Sequence, residues 1–138
     1  MSETTDYNDY TEEHFLFDVN WVTDTTVKDI VNREQVSEQL RALDREIVLQ
    51  CKQLGIDSDS IPVDDYGHIT SPVLISYAKF WLYHTLLSDY WYHKDDIYES
   101  KLSYYTKQMG DYHTKLSVES ILNTSNLRSL NIQQKVIW

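Results

Sequence analysis

The stretch from Pro72 to Tyr92 constrains this chain more than any other. It reads Pro-Val-Leu-Ile-Ser-Tyr-Ala-Lys-Phe-Trp-Leu-Tyr-His-Thr-Leu-Leu-Ser-Asp-Tyr-Trp-Tyr, which puts apolar or aromatic groups on nearly every face of a helix. A helix of that kind needs neighbours on all sides. Its start is marked by Ser71, whose hydroxyl can cap the first turn, and by Pro72, whose missing N–H costs nothing at the first helical position. Ala78 leaves room for a neighbouring helix to approach. Only 3 Gly and 2 Pro occur in 138 residues, so the chain has the punctuation of long helices rather than of a turn-rich sandwich.

The neighbours are also visible. A short helix is predicted over Thr26 to Val31, and a long one over Arg33 to Leu54. In the long one Val36, Leu40, Leu43, Ile47, Cys51 and Leu54 recur at steps of three and four, forming one apolar stripe. Asn32 and Gln35 have the spacing of a capping box, and Gly55 can end the helix in a left-handed backbone. After a break near His93, a further helix is expected over Lys94 to Leu116, with Asp95 and Asp96 in its first turn. Tyr98, Leu102, Tyr105, Met109, Tyr112 and Leu116 form its heptad-like seam, read as one side of an antiparallel hairpin with the central helix. Ser117 to Leu122 adds a helical turn. The fold class is therefore all-α, a small bundle of three to four helices. Its core is expected around Leu74, Ala78, Trp81, Leu82 and the Leu102 to Met109 seam. Residues 25–122 form the bundle, with an acidic amino-terminal arm over 1–24 and a carboxyl-terminal arm over 123–138.

Charge narrows the function classes. Twelve basic residues against 22 acidic ones give a formal charge of -10, which opposes general docking on phosphate backbones or anionic lipid. No uninterrupted apolar run of about 18 residues exists to span a bilayer. The single Cys51 allows neither an internal disulfide nor a cysteine-based zinc site. Met1 to Asp9 lacks the basic and apolar regions of a signal peptide, so synthesis in the cytoplasm is expected. The amino arm has seven acids and no Lys or Arg up to Asp24, yet it contains an apolar island, Phe15, Leu16, Phe17, Val19, Trp21 and Val22. That island must dock on its own domain or on a neighbour. Phe15, Phe17 and Trp21 are accordingly candidate partner contacts, as are Ile132, Val136, Ile137 and Trp138 at the other end.

Between the helices, Ile56 to Thr70 is rich in turn-formers and carries Asp57, Asp59, Asp64 and Asp65. It reads as an exposed loop. A calcium loop would need a central Gly and a terminal bidentate Glu, and Gly67 falls too late for that pattern. His14, His68, His84, His93 and His113 lack the company of a di-iron or catalytic site. No phosphate loop or nucleophile elbow occurs. No cofactor and no metal are expected, and an enzyme with a site among Tyr77, His84 and Asp89 is the weakest of the readings.

The order of a helix pair, an acidic loop, then Ser71-Pro72-Val73-Leu74 leading into Tyr77-Ala78, and a last helix with Tyr98, Lys101, Leu102, Tyr105, Lys107 and Met109, resembles the head-tail connector (adaptor, or head completion) proteins of tailed bacteriophages. The likeness covers about Val27 to Leu116; the acidic amino arm and the apolar carboxyl end depart from it. It implies a non-enzymatic structural virion protein of the neck, a homo-oligomer forming a ring, commonly of twelve, beneath the portal. The portal protein and a tail or next connector protein would be its partners, with DNA only as passing cargo in the channel and no membrane. It also implies that the loop with Asp57, Asp59, Asp64 and Asp65 faces the channel or the tail. The alternative is a stand-alone acidic interaction or regulatory module, one whose negative face imitates DNA.

Overall fold

The computed structural model describes residues 15–91 and 95–122. Among the described residues five helices follow one another: α1 (Thr25–Ile30), α2 (Arg33–Gln53), α3 (Pro72–Tyr90), α4 (Asp96–Thr114) and α5 (Val118–Leu122). Single 3-10 turns lie at Val19–Trp21 and Ser58–Ser60. Among the described residues there is no sheet, and the only β pairing is an isolated antiparallel bridge between Val63 and Ile69. The fold is an all-α bundle.

Each long helix begins where local chemistry satisfies its free N–H groups. Asn32 and Gln35 form the complete capping box of α2, with Asn32 Oδ1 accepting from Gln35 N–H at 2.8 Å and Gln35 Oε1 accepting from Asn32 N–H at 2.9 Å. Ser71 Oγ accepts from Leu74 N–H at the start of α3, directly before Pro72. Asp95 Oδ1 caps α4 through Tyr98 N–H. The expected start at Lys94 and the break at His93 lie outside the described residues. After α2, Gly55 takes a φ of 85°, the left-handed region that a glycine enters without a Cβ penalty.

Helix α3 is the hub, packed between α2 and α4 and touching α1 and α5 as well. The pairs Phe80 with Tyr112, Tyr83 with Tyr105, and Trp91 with Tyr98 run in opposite order along α3 and α4, so the two are antiparallel. Glu38 with Tyr90 and Glu46 with Tyr77 show the same for α2 and α3. The whole predicted α2 stripe is buried except Leu54, which is half-buried. Leu74, Ala78, Leu82, Leu86 and Leu87 of α3 are also fully buried. Trp81 and Leu102, placed at the centre by periodicity, are only half-buried, as is Met109. Tyr98 and Tyr105 carry the α4 seam, because α4 has one long neighbour and buries a narrower face than a seam between two partners would. Helix α5 closes the start of α3, with Ile121 buried and Ser71 Oγ donating to the Ser120 carbonyl at 2.9 Å.

Candidate interaction surfaces

Residues 15–24 are laced to the bundle as a strap. Leu16 N–H donates to Asp44 Oδ1 on α2 at 2.9 Å, and the Leu16 carbonyl accepts from Ile69 N–H of the long loop at 2.9 Å. Further along, the Tyr83 hydroxyl of α3 accepts from Thr23 N–H and Asp24 N–H at 3.1 and 3.2 Å. Asp24 Oδ1 caps α1 through Thr26 and Val27 N–H, while its Oδ2 accepts from the Tyr105 hydroxyl and lies 3.5 Å from Lys101 Nζ. Phe15, Phe17 and Val22 are buried beneath these ties. Phe15 and Phe17 therefore need correcting as candidate partner contacts: their rings complete the domain's own core, where apolar burial draws them in. Residues 15–24 accordingly pack with the bundle. Trp21 stays half-buried, edge-on to Phe17 at 4.9 Å and facing His68 at 5.6 Å.

The strap's ionisable groups feel this packing. Burial pushes the Asp44 carboxyl up to about 6, against the opposing pull of Leu16 N–H and the charges of Arg45 and His68. For Asp24 burial also acts upward, but the bonds from Tyr105, Val27 and Thr26 and the Lys101 charge outweigh it and hold the carboxyl below its ordinary value. Burial, and then the Asp24 carboxylate it donates to, raise Tyr105 well above a free phenol, so it serves as a fixed neutral donor. A second tie of the same type joins α2 and α3, where the Tyr77 hydroxyl donates to Glu46 Oε2 at 2.5 Å and burial again raises the phenol. Gln50 Nε2 donates to that same Glu46 oxygen at 2.8 Å, and Gln50 Oε1 lies 2.9 Å from His113 Nε2 on α4.

The three groups of the enzyme alternative are not brought together. Tyr77 is engaged with Glu46, and Asp89 accepts from Gln39 at 3.2 Å. The two are 12 positions apart on α3, about 18 Å along its axis. Cys51 sits in the apolar stripe, where burial pushes the thiol up to about 11, away from nucleophilic form at neutral pH. Among the described residues no group of three or more His, Cys, Asp or Glu is placed to hold a metal ion. None of the described helices is long and apolar enough to cross a membrane.

The acidic loop is braced rather than loose. Ile56, Ile61 and Ile69 anchor it in the core. At its tip Asp64 Oδ1 accepts from Tyr66 N–H at 2.8 Å and His68 N–H at 3.0 Å, while Asp64 N–H donates to the His68 carbonyl at 2.8 Å. The His68 N–H above all holds the Asp64 carboxyl below its ordinary value. Gly67, with a φ of 82°, turns the chain back and donates to the Asp64 carbonyl. Asp57, Asp59 and Asp65 are exposed, as their sequence context implies. The tip also holds Tyr66 at 78% exposure and Val63 at 45%, side chains whose role the acidic composition of the loop conceals. Ile132, Val136, Ile137 and Trp138 lie outside the described residues.

The sequence shows the tyrosines and lysines of α4 but not the surface that they form with α3. On α4 the steps of three and four from Lys101 through Tyr104, Gln108 and Tyr112 to Lys115 define one flank, with Tyr104 and Lys115 exposed and the others half-buried, and Phe80 of α3 packs against it. The acidic total obscures it, because net charge carries no information about where the lysines gather. No family model, no curated protein and no solved structure matches this chain.

Proposed function

We propose that the protein is a non-enzymatic assembly subunit and, in its specific form, a head-tail connector of a tailed bacteriophage. In this reading it forms a ring under the portal, extends the DNA channel and receives the tail in the virion neck. The observation that carries the proposal is the loop tip: a rigid projection, fastened by Asp64 and Gly67, that holds Tyr66 and Val63 out in water. An exposed aromatic group on a stiff support loses little conformational freedom on docking, which is what a contact point between subunits requires. Asp57, Asp59 and Asp65 around it supply the negative wall along which DNA passes without adhering. The strap supports the same reading, since it ties the beginning of the domain to α2, α3 and α4 and gives the subunit the rigidity of a building block.

Electron microscopy of the purified full chain, with gold labelling of intact particles, tests it. Rings with a central hole and label at the neck are expected. A protein that stays monomeric in light scattering and labels no particle would replace the connector with the stand-alone interaction module. Tyr66→Ala combined with Val63→Ser is expected to leave the melting temperature unchanged while reducing attachment to portal or tail.

A further inference from the structure

The α3–α4 flank is the basic and aromatic face of an acidic protein. Phe80 and Tyr112 stack with centroids 5.9 Å apart and planes 9° from parallel, and Tyr104 meets Phe80 edge-on at 6.0 Å while remaining 51% exposed. Lys115 Nζ lies 4.9 Å from the Tyr112 centroid and Lys79 Nζ lies 5.9 Å from that of Phe80. The other two lysines near this surface are engaged, Lys101 with Asp24 and Lys107 with Asp111. Lys79 and Lys115 have no carboxylate within ion-pair distance among the described residues. A row of rings flanked by two such ammonium groups suits an acidic peptide carrying aromatic side chains.

The chain itself contains one. Residues 1–14 hold Glu3, Asp6, Asp9, Glu12 and Glu13, no Lys or Arg, and Tyr7 and Tyr10 among the acids. The strap's starting point favours the face of a second copy. Leu16 is tied to Asp44 of α2 and to Ile69, whereas Asp24, further on, is tied to Tyr83 of α3 and Tyr105 of α4. The described strap thus begins on the α2 side of α3 and ends at α4, so its first tied residue, Leu16, is fastened across α3 from the helix that carries Tyr104, Tyr112 and Lys115. We infer that the acidic residues 1–14 of one copy dock on the Lys79, Phe80, Tyr104, Tyr112 and Lys115 face of a second copy. Tail and face are different surfaces, so a contact that each copy makes to the next is heterologous, and it closes into a ring where the rotation between copies permits. The overall negative charge does not forbid this, because at physiological ionic strength fields fade over about 8 Å and the local pairs dominate. The inference rests on the assembly reading only in requiring self-association; it needs neither a portal nor a virion.

Charge reversal on the full-length chain tests it. One variant carries Lys79→Glu and Lys115→Glu, the other Asp9→Lys, Glu12→Lys and Glu13→Lys; circular dichroism melts check that both remain folded. In sedimentation velocity the wild type is expected to self-associate, and each variant alone to do so about tenfold or more weakly. Mixing the two variants should restore association, because each then offers what the other lacks. Absence of rescue in the mixture overturns the inference, as does wild-type behaviour of either variant or a wild type that remains monomeric. Rescue within a single chain carrying all five changes, but not in the mixture, would mean docking on the chain's own face and also overturns it. Labelling of particles reads the connector proposal separately: label at the neck with self-association indifferent to these charges removes the inference alone, and rescue without label removes the connector alone.

Discussion

Asp44 joins a cost and a contact in one side chain. Its carboxylate accepts from Leu16 N–H, which holds the strap on α2, yet burial pushes the group from 3.8 up to about 6. A folded value above the unfolded one means that the native state binds the proton more tightly. The stability this confers is fully present below about pH 3.8 and is lost as pH rises through about 6. Across that span the differential ionisation corresponds to about 3 kcal/mol at most, and water at the half-exposed carboxyl reduces it to about 1–2 kcal/mol. Asp44→Asn keeps an oxygen for Leu16 N–H and removes the ionisation. It is expected to match the wild type near pH 4 and to exceed it by about 1–2 kcal/mol near pH 7.5, a rise of a few degrees in Tm. Urea denaturation at a series of pH values measures the difference. Asp44→Ala serves as the control: it leaves Leu16 N–H without its partner and should be less stable than Asp44→Asn by about 1–3 kcal/mol. A difference between Asp44→Asn and wild type that stays flat with pH, or a less stable Asp44→Asn at pH 7.5, would refute this account of the strap.

Tyr105→Phe removes the hydroxyl bonded to Asp24 and is expected to cost about 1.5–3 kcal/mol in urea denaturation, the range for a bond to a charged acceptor. Asp24 is held below its ordinary value, so the stability it contributes is present above the unfolded value and lost as pH falls through the folded one; the same variant should weaken that acid-side decline. Leu86→Ala, at a fully buried position, should cost about 2–5 kcal/mol, and Leu102→Ala, half-buried, distinctly less; equal costs would put the α4 seam at the centre after all. Asp64→Ala should speed hydrogen exchange at the Tyr66 and His68 amides, while Asp59→Asn leaves both unchanged.

The helices were legible because their signals are local. A stripe such as Val36 to Cys51 has one period, and the Asn32-Gln35 and Ser71-Pro72 pairs name their own starting points within a turn. The all-round apolar character of Pro72–Tyr90 likewise announces a hub. What the sequence concealed depends on distant partners. Nothing near Asp24 in the chain reveals that Tyr105 donates to it across 81 positions, or that Tyr83 receives Thr23 across 60. The apolar island at Phe15 and Phe17 was visible, but its destination was not, since hydrophobicity has no direction. The lysine face was hidden for a related reason: it gathers residues from two helices, and only the packed hairpin puts Lys79 beside the same row of rings as Lys115.

The strap also fixes an order of events during synthesis. Asp24 leaves the ribosome well before Tyr105, the residue to which it is fastened, which is made 81 residues later. At about 5–20 residues per second Asp24 waits roughly 4–16 s for that partner. The ties of Asp24 can form only once both α3 and α4 have been made. Closing so long a loop costs more chain entropy than forming a local helix, so this tie is expected to follow the helices rather than lead them. Phe15 and Phe17 wait less long, since Leu16 between them is fastened to Asp44, made 28 residues later, and to Ile69.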